Sequence, residues 1–501
     1  MAALYWLETL GCPKNQVDSD KLEGVLCAEG MSPAPSPEEA DLIVVNTCAF
    51  VEAAREESIE CILELAEARK PETRLVVTGC LAERYGSELA QAMPEIDVVA
   101  SFDRPLGSSS MDLLRLPRPR SNRPWAYVKI AEGCDRHCHF CAIPSFRGRQ
   151  RSVPMESLLE EVRALDVTEV VLVAQDTLSW GHDRRDRTPL GSTPLGSLGF
   201  PTSNSPTSNS LRVPPANMGR KSKRPGIADL LRAVSSMTTR TRLLYLYPSS
   251  LGEETIEAIL ETGIPYFDLS FQHVAKPLLE RMGRSGDGDR FVDLIDRIRS
   301  MEPSAVFRAS FILGYPGETE EDHDLLMDFL RSVQLDWAGF FPYSAEEGTR
   351  AAALTDQVPP ELIRERINEC SQLQDRITAA KRYDLIGEKV EVLVDSPGEG
   401  RSYREAPEID GVIYVPRWMS PGSIYEMVVT DAIGPDLEAH PLNVPYSKDS
   451  NVLNSNVLNR KSIDKQENCH YESLVHNKPN GRIVYPPAGG YTPAGVRTDV
   501  H

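Results

Sequence analysis

The sequence predicts an α/β chain in three parts. A parallel-sheet unit comes first, an incomplete barrel of six strand–helix units second, and a small closed β-barrel last. Three observations carry this reading. Apolar strand-like runs alternate with helical patterns from residue 4 to about residue 375, which gives parallel sheets with helices on their faces. After a first group of three strands, the alternation resumes as a series of about six, too few to close the eight-fold barrel. From about residue 380 the runs become short and are separated by Gly/Pro turns.

The first unit spans 1–114. Its strands are Leu4-Tyr-Trp-Leu-Glu-Thr-Leu-Gly-Cys12, Asp41-Leu-Ile-Val-Val-Asn-Thr-Cys48 and Arg74-Leu-Val-Val-Thr-Gly-Cys80, with helical patterns over Ser19 to Glu29 and Ala53 to Arg69 between them. Each strand ends in a cysteine. Ligands of parallel sheets bind beyond the carboxyl ends of the strands, so Cys12, Cys48 and Cys80 converge on one spot. That is an arrangement for an iron–sulfur cluster with one iron left open. Three buried structural thiols are the alternative; the repeated strand-end placement argues against it. Arg115 to Pro124, rich in proline and arginine, reads as a linker.

The middle part spans 125–375, with strands at 125–130, 169–175, 242–248, 266–272, 306–314 and 337–344. Helical patterns cover Glu156 to Leu165 and Thr319 to Val333. After the first strand comes Cys134-Asp-Arg-His-Cys138-His-Phe-Cys141. This C-x3-C-x2-C spacing holds three irons of a [4Fe-4S] cube and leaves the fourth open to a small chelating molecule. S-adenosylmethionine, with its amino and carboxylate groups, is the usual one. A zinc knuckle completed by His137 or His139 is the alternative. In barrels the chemistry sits at the carboxyl ends of the strands, where this loop lies.

The last part spans 380–440. Residues 384 to 438 hold twelve acids against Lys389, Arg401, Arg404 and Arg417, a surplus of eight negative charges. Together with a formal net charge of -20 for the chain, this disfavours broad nucleic-acid binding and favours a basic partner. A solvated acidic face is the bland alternative. The segment 183–225, with a tandem Pro-Thr-Ser-Asn-Ser repeat, and the tail 441–501 are low in complexity and are expected to be flexible and disordered. Hydrophobic content of 41% suffices for real cores, while no apolar run reaches the length of a membrane span and no signal peptide is evident. Six cysteines given to iron require a reducing compartment, hence the cytoplasm. Cys27, Cys61 and Cys370 fall within helices as ordinary small hydrophobes, and Cys469 in the tail is expected to bind nothing.

These stretches carry a family resemblance. Leu10-Gly-Cys-Pro-Lys-Asn-Gln-Val-Asp-Ser19, Val45-Asn-Thr-Cys-Ala-Phe50, Gly133-Cys-Asp-Arg-His-Cys-His-Phe-Cys-Ala-Ile-Pro-Ser-Phe146, Ala174-Gln-Asp-Thr177, Asp268-Leu-Ser-Phe-Gln-His-Val274, Phe311-Ile-Leu-Gly-Tyr-Pro-Gly-Glu318 and Ser402-Tyr-Arg-Glu-Ala-Pro-Glu-Ile-Asp-Gly411 resemble radical S-adenosylmethionine methylthiotransferases. The similarity is greatest to the branch acting on ribosomal protein uS12. It implies a flavodoxin-like first unit, a radical-SAM barrel and a TRAM domain, with two [4Fe-4S] clusters. Reductive cleavage of S-adenosylmethionine would give a radical that removes hydrogen from the β-carbon of an aspartate of uS12. The Cys12/Cys48/Cys80 cluster would present the sulfur that a second S-adenosylmethionine methylates. A flavodoxin- or ferredoxin-like electron donor and a sulfur donor are implied as partners.

The resemblance also marks cofactor contacts. Gln175 and Asp176 end the second barrel strand, where the methionine part binds; a plain strand-end turn is the alternative. Arg308, inside a strand, either nears the cofactor carboxylate or ribose or forms a structural ion pair. Gly314 lies by the expected adenosine site. Phe140 touches the adenine or merely packs its loop. Gln272 and His273 end the fourth strand, with His273 in proton transfer or as a core histidine. Val153 stands where resembling sequences usually carry arginine, which would reduce activity if that arginine steadies the site. A tRNA adenosine methylthiotransferase and a non-catalytic iron–sulfur electron carrier remain as alternatives, told apart by tRNA binding and by cleavage of S-adenosylmethionine.

Overall fold

The computed structural model describes residues 3–107, 110–184 and 225–442. The expected flexible segment 183–225 and tail 441–501, with Cys469, lie outside the described residues but for their edges.

Strands β1 (Leu4–Thr9), β2 (Leu42–Thr47) and β3 (Arg74–Gly79) form the centre of a parallel sheet, flanked by the short strands Ser32–Pro33 and Val98–Val99. Their Val/Ile/Leu-rich runs are those of strands covered on both faces. Helices α1 (Pro13–Ala28), α2 (Glu52–Ala68) and α3 (Cys80–Ala92) provide the cover. Helix α1 begins six residues before the expected Ser19, because Pro13 at its first position has its φ set for a helix and lacks an N–H to satisfy. Cys12 is thereby its cap residue.

The central part runs β4 (Trp125–Lys129), β5 (Glu169–Val173), β6 (Arg240–Leu243), β7 (Tyr266–Gln272), β8 (Val306–Leu313) and β9 (Trp337–Pro342). β4-β5-β6 and β7-β8-β9 are parallel ladders in chain order, joined by one parallel bridge between Leu246 and Leu269. The six strands thus form an open barrel. Val170 and Leu172 of β5 face the outer helices, among them α4 (Met155–Leu165) and α5 (Ile227–Ser235). Val171 and Val173 face inward with Tyr127, Leu244, Tyr266 and Val306, as the two-residue period of a strand dictates. Val17 of α1 joins this inner cluster. Helix α6 (Pro360–Tyr383) leads out to a closed barrel of β10 (Lys389–Ser396), β11 (Glu399–Arg401), β12 (Ile413–Tyr414), β13 (Ile424–Ile433) and β14 (Asp436–Pro441), in the order β10-β11-β12-β14-β13.

The segment between β11 and β12 reaches back and plugs the amino ends of the central strands. Arg401 Nη1 lies 2.9 Å from Glu169 Oε2, Arg242 Nε 3.0 Å from Glu169 Oε1, and Asp410 Oδ1 3.4 Å from Arg308 Nε. Ala406 enters the inner apolar cluster. Part of the acidic surplus is met inside the protein and only the remainder can face a partner. Asp395, Glu405, Glu408 and Asp410 are spent on Arg401, Arg382, Arg123 and Arg308, so the charge left to meet a partner is smaller than composition implies.

Candidate cluster and cofactor site

The first cysteine set is assembled by three strand-to-helix turns of the first unit. Cys12 caps α1, Cys48 follows β2 and Cys80 opens α3. Gly11 (φ +88°) and Gly79 (φ +91°) precede two of them in the left-handed region. A Cβ at Gly11 would lie 2.7 Å from Cys48 Cβ and 2.9 Å from its Sγ, and one at Gly79 would lie 2.4 Å from Asn46 Oδ1. The turns therefore pack closer than any side chain there would allow. Asn15 ties them together, donating from Nδ2 to the carbonyls of Leu10 and Thr47 at 2.9 Å each. Ser58 Oγ accepts from the Cys48 N–H at 3.1 Å.

The thiols sense one another. Burial pushes Cys48 and Cys80 up, with further upward push from their neighbour thiols. At Cys12 burial also raises, but Lys14 and Arg147 outweigh it and the thiol is lowered. Cys12 is thus the readiest thiolate of the three.

Cys134, Cys138 and Cys141 follow β4 on a half-exposed loop. The N–H of Arg136 points at Cys134 Sγ at 3.4 Å, and Arg284 Nη1 at Cys138 Sγ at 3.5 Å. Burial, reinforced by Asp176 and Cys138, pushes Cys134 up to about 11, and burial with the neighbouring thiols pushes Cys141 up to about 12. Positive iron reverses that preference, since metal ligation needs the deprotonated sulfur. Among the described residues no three His, Cys, Asp or Glu side chains close around a single metal ion. His139 is committed elsewhere, its Nδ1 lying 2.7 Å from the Arg281 carbonyl, and His137 is exposed. A zinc knuckle is therefore disfavoured, whereas thiolates that each take a different corner of a cube need no common point.

Against the first set, and just ahead of the second along the chain, lies a buried ionic group that sequence reasoning missed. Lys129 Nζ binds Asp18 and lies 2.7 Å from Glu132 Oε2; Arg147 Nη1 lies 2.8 Å from Glu132 Oε1 and its Nη2 3.0 Å from Cys80 Sγ. Gln175 Nε2 donates to Glu132 Oε1 at 3.0 Å. Lys129, inside the apolar run from Trp125 to Ala131, and Glu132 directly after it were the available signal.

Gln175 and Asp176 sit beyond the carboxyl end of β5. Asp176 Oδ2 accepts from Arg136 Nε and Ser179 Oγ at 2.6 Å each, which fixes Arg136 of the cysteine loop. Gln175 Oε1 and Asp176 Oδ1 are buried with no partner among the described residues, and so are Tyr245 Oη, His273 Nε2 and Tyr343 Oη. All five stand beyond strand ends on the same side. Unmet acceptors and donors gathered there suit a ligand rich in amino, carboxylate and hydroxyl groups. Tyr245 adds a left-handed φ of 63° and a Lys14 ammonium 3.6 Å above its ring; such strain in a non-glycine residue marks functional sites.

Other expected contacts are placed differently. Arg308 lies near the amino end of β8, where Asp268 Oδ1 at 3.2 Å and Asp410 Oδ1 at 3.4 Å take its charge. It is a structural ion pair, so the expectation of a cofactor contact there is corrected. Gly314 ends β8 with its N–H given to Glu318, and Ile363 of α6 fills the space a side chain would need. Phe140 is half-buried against the outer apolar core. His273 is fully buried, accepts at Nδ1 from the Ala275 N–H at 3.1 Å, and burial lowers it to about 4, so it stays neutral. Val153 packs in the outer core and gives its carbonyl to Trp180 Nε1 at 3.1 Å. Cys27, expected among the hydrophobes, is exposed, whereas Cys61 and Cys370 are buried.

Sequence profiles of known families match three stretches. They are the uncharacterized protein family UPF0004 over residues 4–101, the radical SAM superfamily over 128–330 and the TRAM domain over 386–442. The uS12 methylthiotransferase RimO of Moorella thermoacetica is 38% identical over 449 residues, covering 84% of this chain and 95% of that protein. RimO of Carboxydothermus hydrogenoformans is 34% identical over 472 residues, covering 88% of this chain and 99% of the relative.

The chain belongs to the ribosomal protein uS12 methylthiotransferase family.

RimO of Aquifex aeolicus extends this, at 38% identity with 86% of this chain and 96% of the relative covered. Among solved structures, the radical S-adenosylmethionine methyltransferase TsrM of Kitasatospora setae matches at 15% identity with a TM-score of 0.46, covering 77% of this chain and 91% of that one. That likeness is too remote to argue from. Within the described residues no helix is long and apolar enough to cross a membrane.

Proposed function

We propose that this chain methylthiolates ribosomal protein uS12 at the β-carbon of an aspartate, as a radical S-adenosylmethionine enzyme holding two [4Fe-4S] clusters. The observation that carries it is a cysteine triad tied by a buried ionic group to the segment that leads into the other triad, in a chain of this family with a radical SAM domain. Cys134, Cys138 and Cys141 would hold the cluster that binds S-adenosylmethionine; Cys12, Cys48 and Cys80 would hold the second. These groups, when bound, supply one-electron cleavage of S-adenosylmethionine at one cluster and a transferable sulfur at the other. Asp176 orients the cysteine loop through Arg136, and the open acceptors of Gln175 and Asp176 receive polar groups of the cofactor. The first unit, about 1–114, delivers its triad; the barrel, about 125–375, delivers the cofactor; and the TRAM domain, 380–440, closes the barrel's other end. A flavodoxin- or ferredoxin-like reductant and a separate sulfur donor complete the reaction. The nine described cysteines are free of disulfides, which suits a reducing cytoplasm.

The test is mass spectrometry of uS12 after anaerobic incubation with reconstituted enzyme, dithionite and S-adenosylmethionine. The expected result is one methylthio group gained on an aspartate-bearing peptide. Formation of 5′-deoxyadenosine with unmodified uS12, and a methylthio group on tRNA, would move the substrate to tRNA. Neither product from iron-loaded protein would reject the enzyme reading.

A further inference from the structure

We infer that Arg147 is a positioning residue that raises the reduction potential of the cluster held by Cys12, Cys48 and Cys80, through a charge-assisted hydrogen bond to the Cys80 sulfur. This rests on the two-cluster reading above. Arg147 lies six residues after Cys141, on the barrel side, whereas Cys80 belongs to the first unit, so the donor is delivered across the boundary between them. Both residues are buried. The guanidinium is gripped on three sides: Nη1 lies 2.8 Å from Glu132 Oε1 and 3.7 Å from Asp18 Oδ2, and Nη2 lies 2.6 Å from Asn15 Oδ1. Its ring partner Phe102 stands 4.7 Å away. A planar fork held in this way has its remaining N–H direction fixed, and that direction meets Cys80 Sγ at 3.0 Å.

Charge bookkeeping separates tuning from plain ion pairing. Asp18 and Glu132 are balanced by Lys129 and Arg147, so the group is neutral before any thiolate is counted. A thiolate at Cys80, and an electron added to a cluster behind it, meet an N–H donor already oriented and shielded from water. Hydrogen bonds to cluster sulfurs favour the reduced form and move the potential upward. The same arginine touches Glu132, two residues before Cys134, so it links the first triad to the segment that leads into the second.

The experiment uses the full chain with Cys134, Cys138 and Cys141 replaced by Ala, so that the first triad alone loads iron, followed by potentiometric titration read by electron paramagnetic resonance. Arg147→Lys keeps the positive charge near Glu132 and removes the fork. The expected result is unchanged iron content with a midpoint shifted to more negative potential. Arg118→Lys, another buried arginine, paired with Asp20 and Glu161, is the control and leaves the midpoint in place. Full iron with an unshifted midpoint in Arg147→Lys overturns the inference and leaves Arg147 a structural ion pair. A second measurement needs no substitution at Arg147: with arginine labelled by heavy nitrogen, pulsed resonance of the reduced cluster is expected to show nitrogen coupling, and its absence also overturns the inference. Failure of the first triad to hold iron at all would instead overturn the two-cluster reading.

Discussion

The two ends of the central barrel are built from the same kinds of buried polar residue and finish differently. At the amino ends Arg242, Arg308, Arg382 and Arg401 each face a carboxylate: Glu169, Asp268 with Asp410, Glu405, and Glu169 with Asp395. At the carboxyl ends Gln175, Asp176, Tyr245, His273 and Tyr343 each keep a buried polar atom without a partner among the described residues. Burying an unmet polar group costs roughly 1–3 kcal/mol. Glu169, Arg242, Arg382 and Asp410 at the amino ends keep single buried atoms without a hydrogen bond as well, but each meets an opposite charge. Four of the five groups at the carboxyl ends are uncharged, so one end holds together by ion pairs and the other offers neutral donors and acceptors to a ligand. Burial alone does not tell them apart, and neither does a single unmet atom; an opposing charge does.

The largest effect that sharpens this contrast lies at the open end. Cys134→Ala and Cys48→Ala are each expected to halve the iron bound after reconstitution and to abolish modification of uS12. They differ in one product: 5′-deoxyadenosine persists in Cys48→Ala and is lost in Cys134→Ala. Iron analysis and chromatography read both. Equal loss of 5′-deoxyadenosine in the two would break the division of labour between the triads.

The closed end is expected to answer with stability rather than chemistry. Glu169 is pushed up by burial, but Arg401 and Arg242 outweigh this and hold it at about 2. Its folded value lies below its unfolded one, so its stabilisation is present above the ordinary carboxylate range. That stabilisation is lost as pH falls from about 4.5 toward 2. Glu169→Gln leaves Arg242 without its carboxylate and is expected to cost about 3 kcal/mol, as when one partner of a buried pair is removed. Thermal unfolding at neutral pH reads the cost, and the variant's stability should depend less on pH across that window. The reaction rate per folded molecule should stay near that of the parent. A variant of normal stability would show that the pairing at the amino ends is not what holds the plug.

Much of this was legible before any coordinates. Five of the six central strands stand within two residues of their expected positions because runs such as Glu169-Val-Val-Leu-Val173 have few other ways to be buried. The third, expected over 242–248, is Arg240–Leu243 instead, since Tyr245 turns the chain with a left-handed φ of 63°. The cysteines were legible because a strand end is a place as well as a residue type. Arg308 was misplaced because a sequence shows that a strand charge needs a partner but not which end of the barrel supplies it; Asp410 lies about a hundred positions onward. Arg147 escaped for a similar reason. Its partners at 15, 18, 80 and 132 are spread over two units, and no local period links them. The acidic surplus was overcounted because composition counts charges without showing which face inward.

The smallest predicted effect tests the criterion itself. Gln175 donates to Glu132 and keeps Oε1 buried without a partner among the described residues. In Gln175→Ala, Glu132 keeps Lys129 and Arg147, so folding should change little. If the open oxygen receives a donor from S-adenosylmethionine, its loss should weaken binding by about 1 to 1.5 kcal/mol, roughly tenfold in the dissociation constant. Equilibrium binding beside a thermal melt separates the two quantities. Weaker binding with an unchanged melt would make the unmet atoms a guide to the ligand. Unchanged binding with a lowered melt would place Gln175 with the pairing residues of the closed end, and the contrast between the two ends would then rest on the cysteines alone.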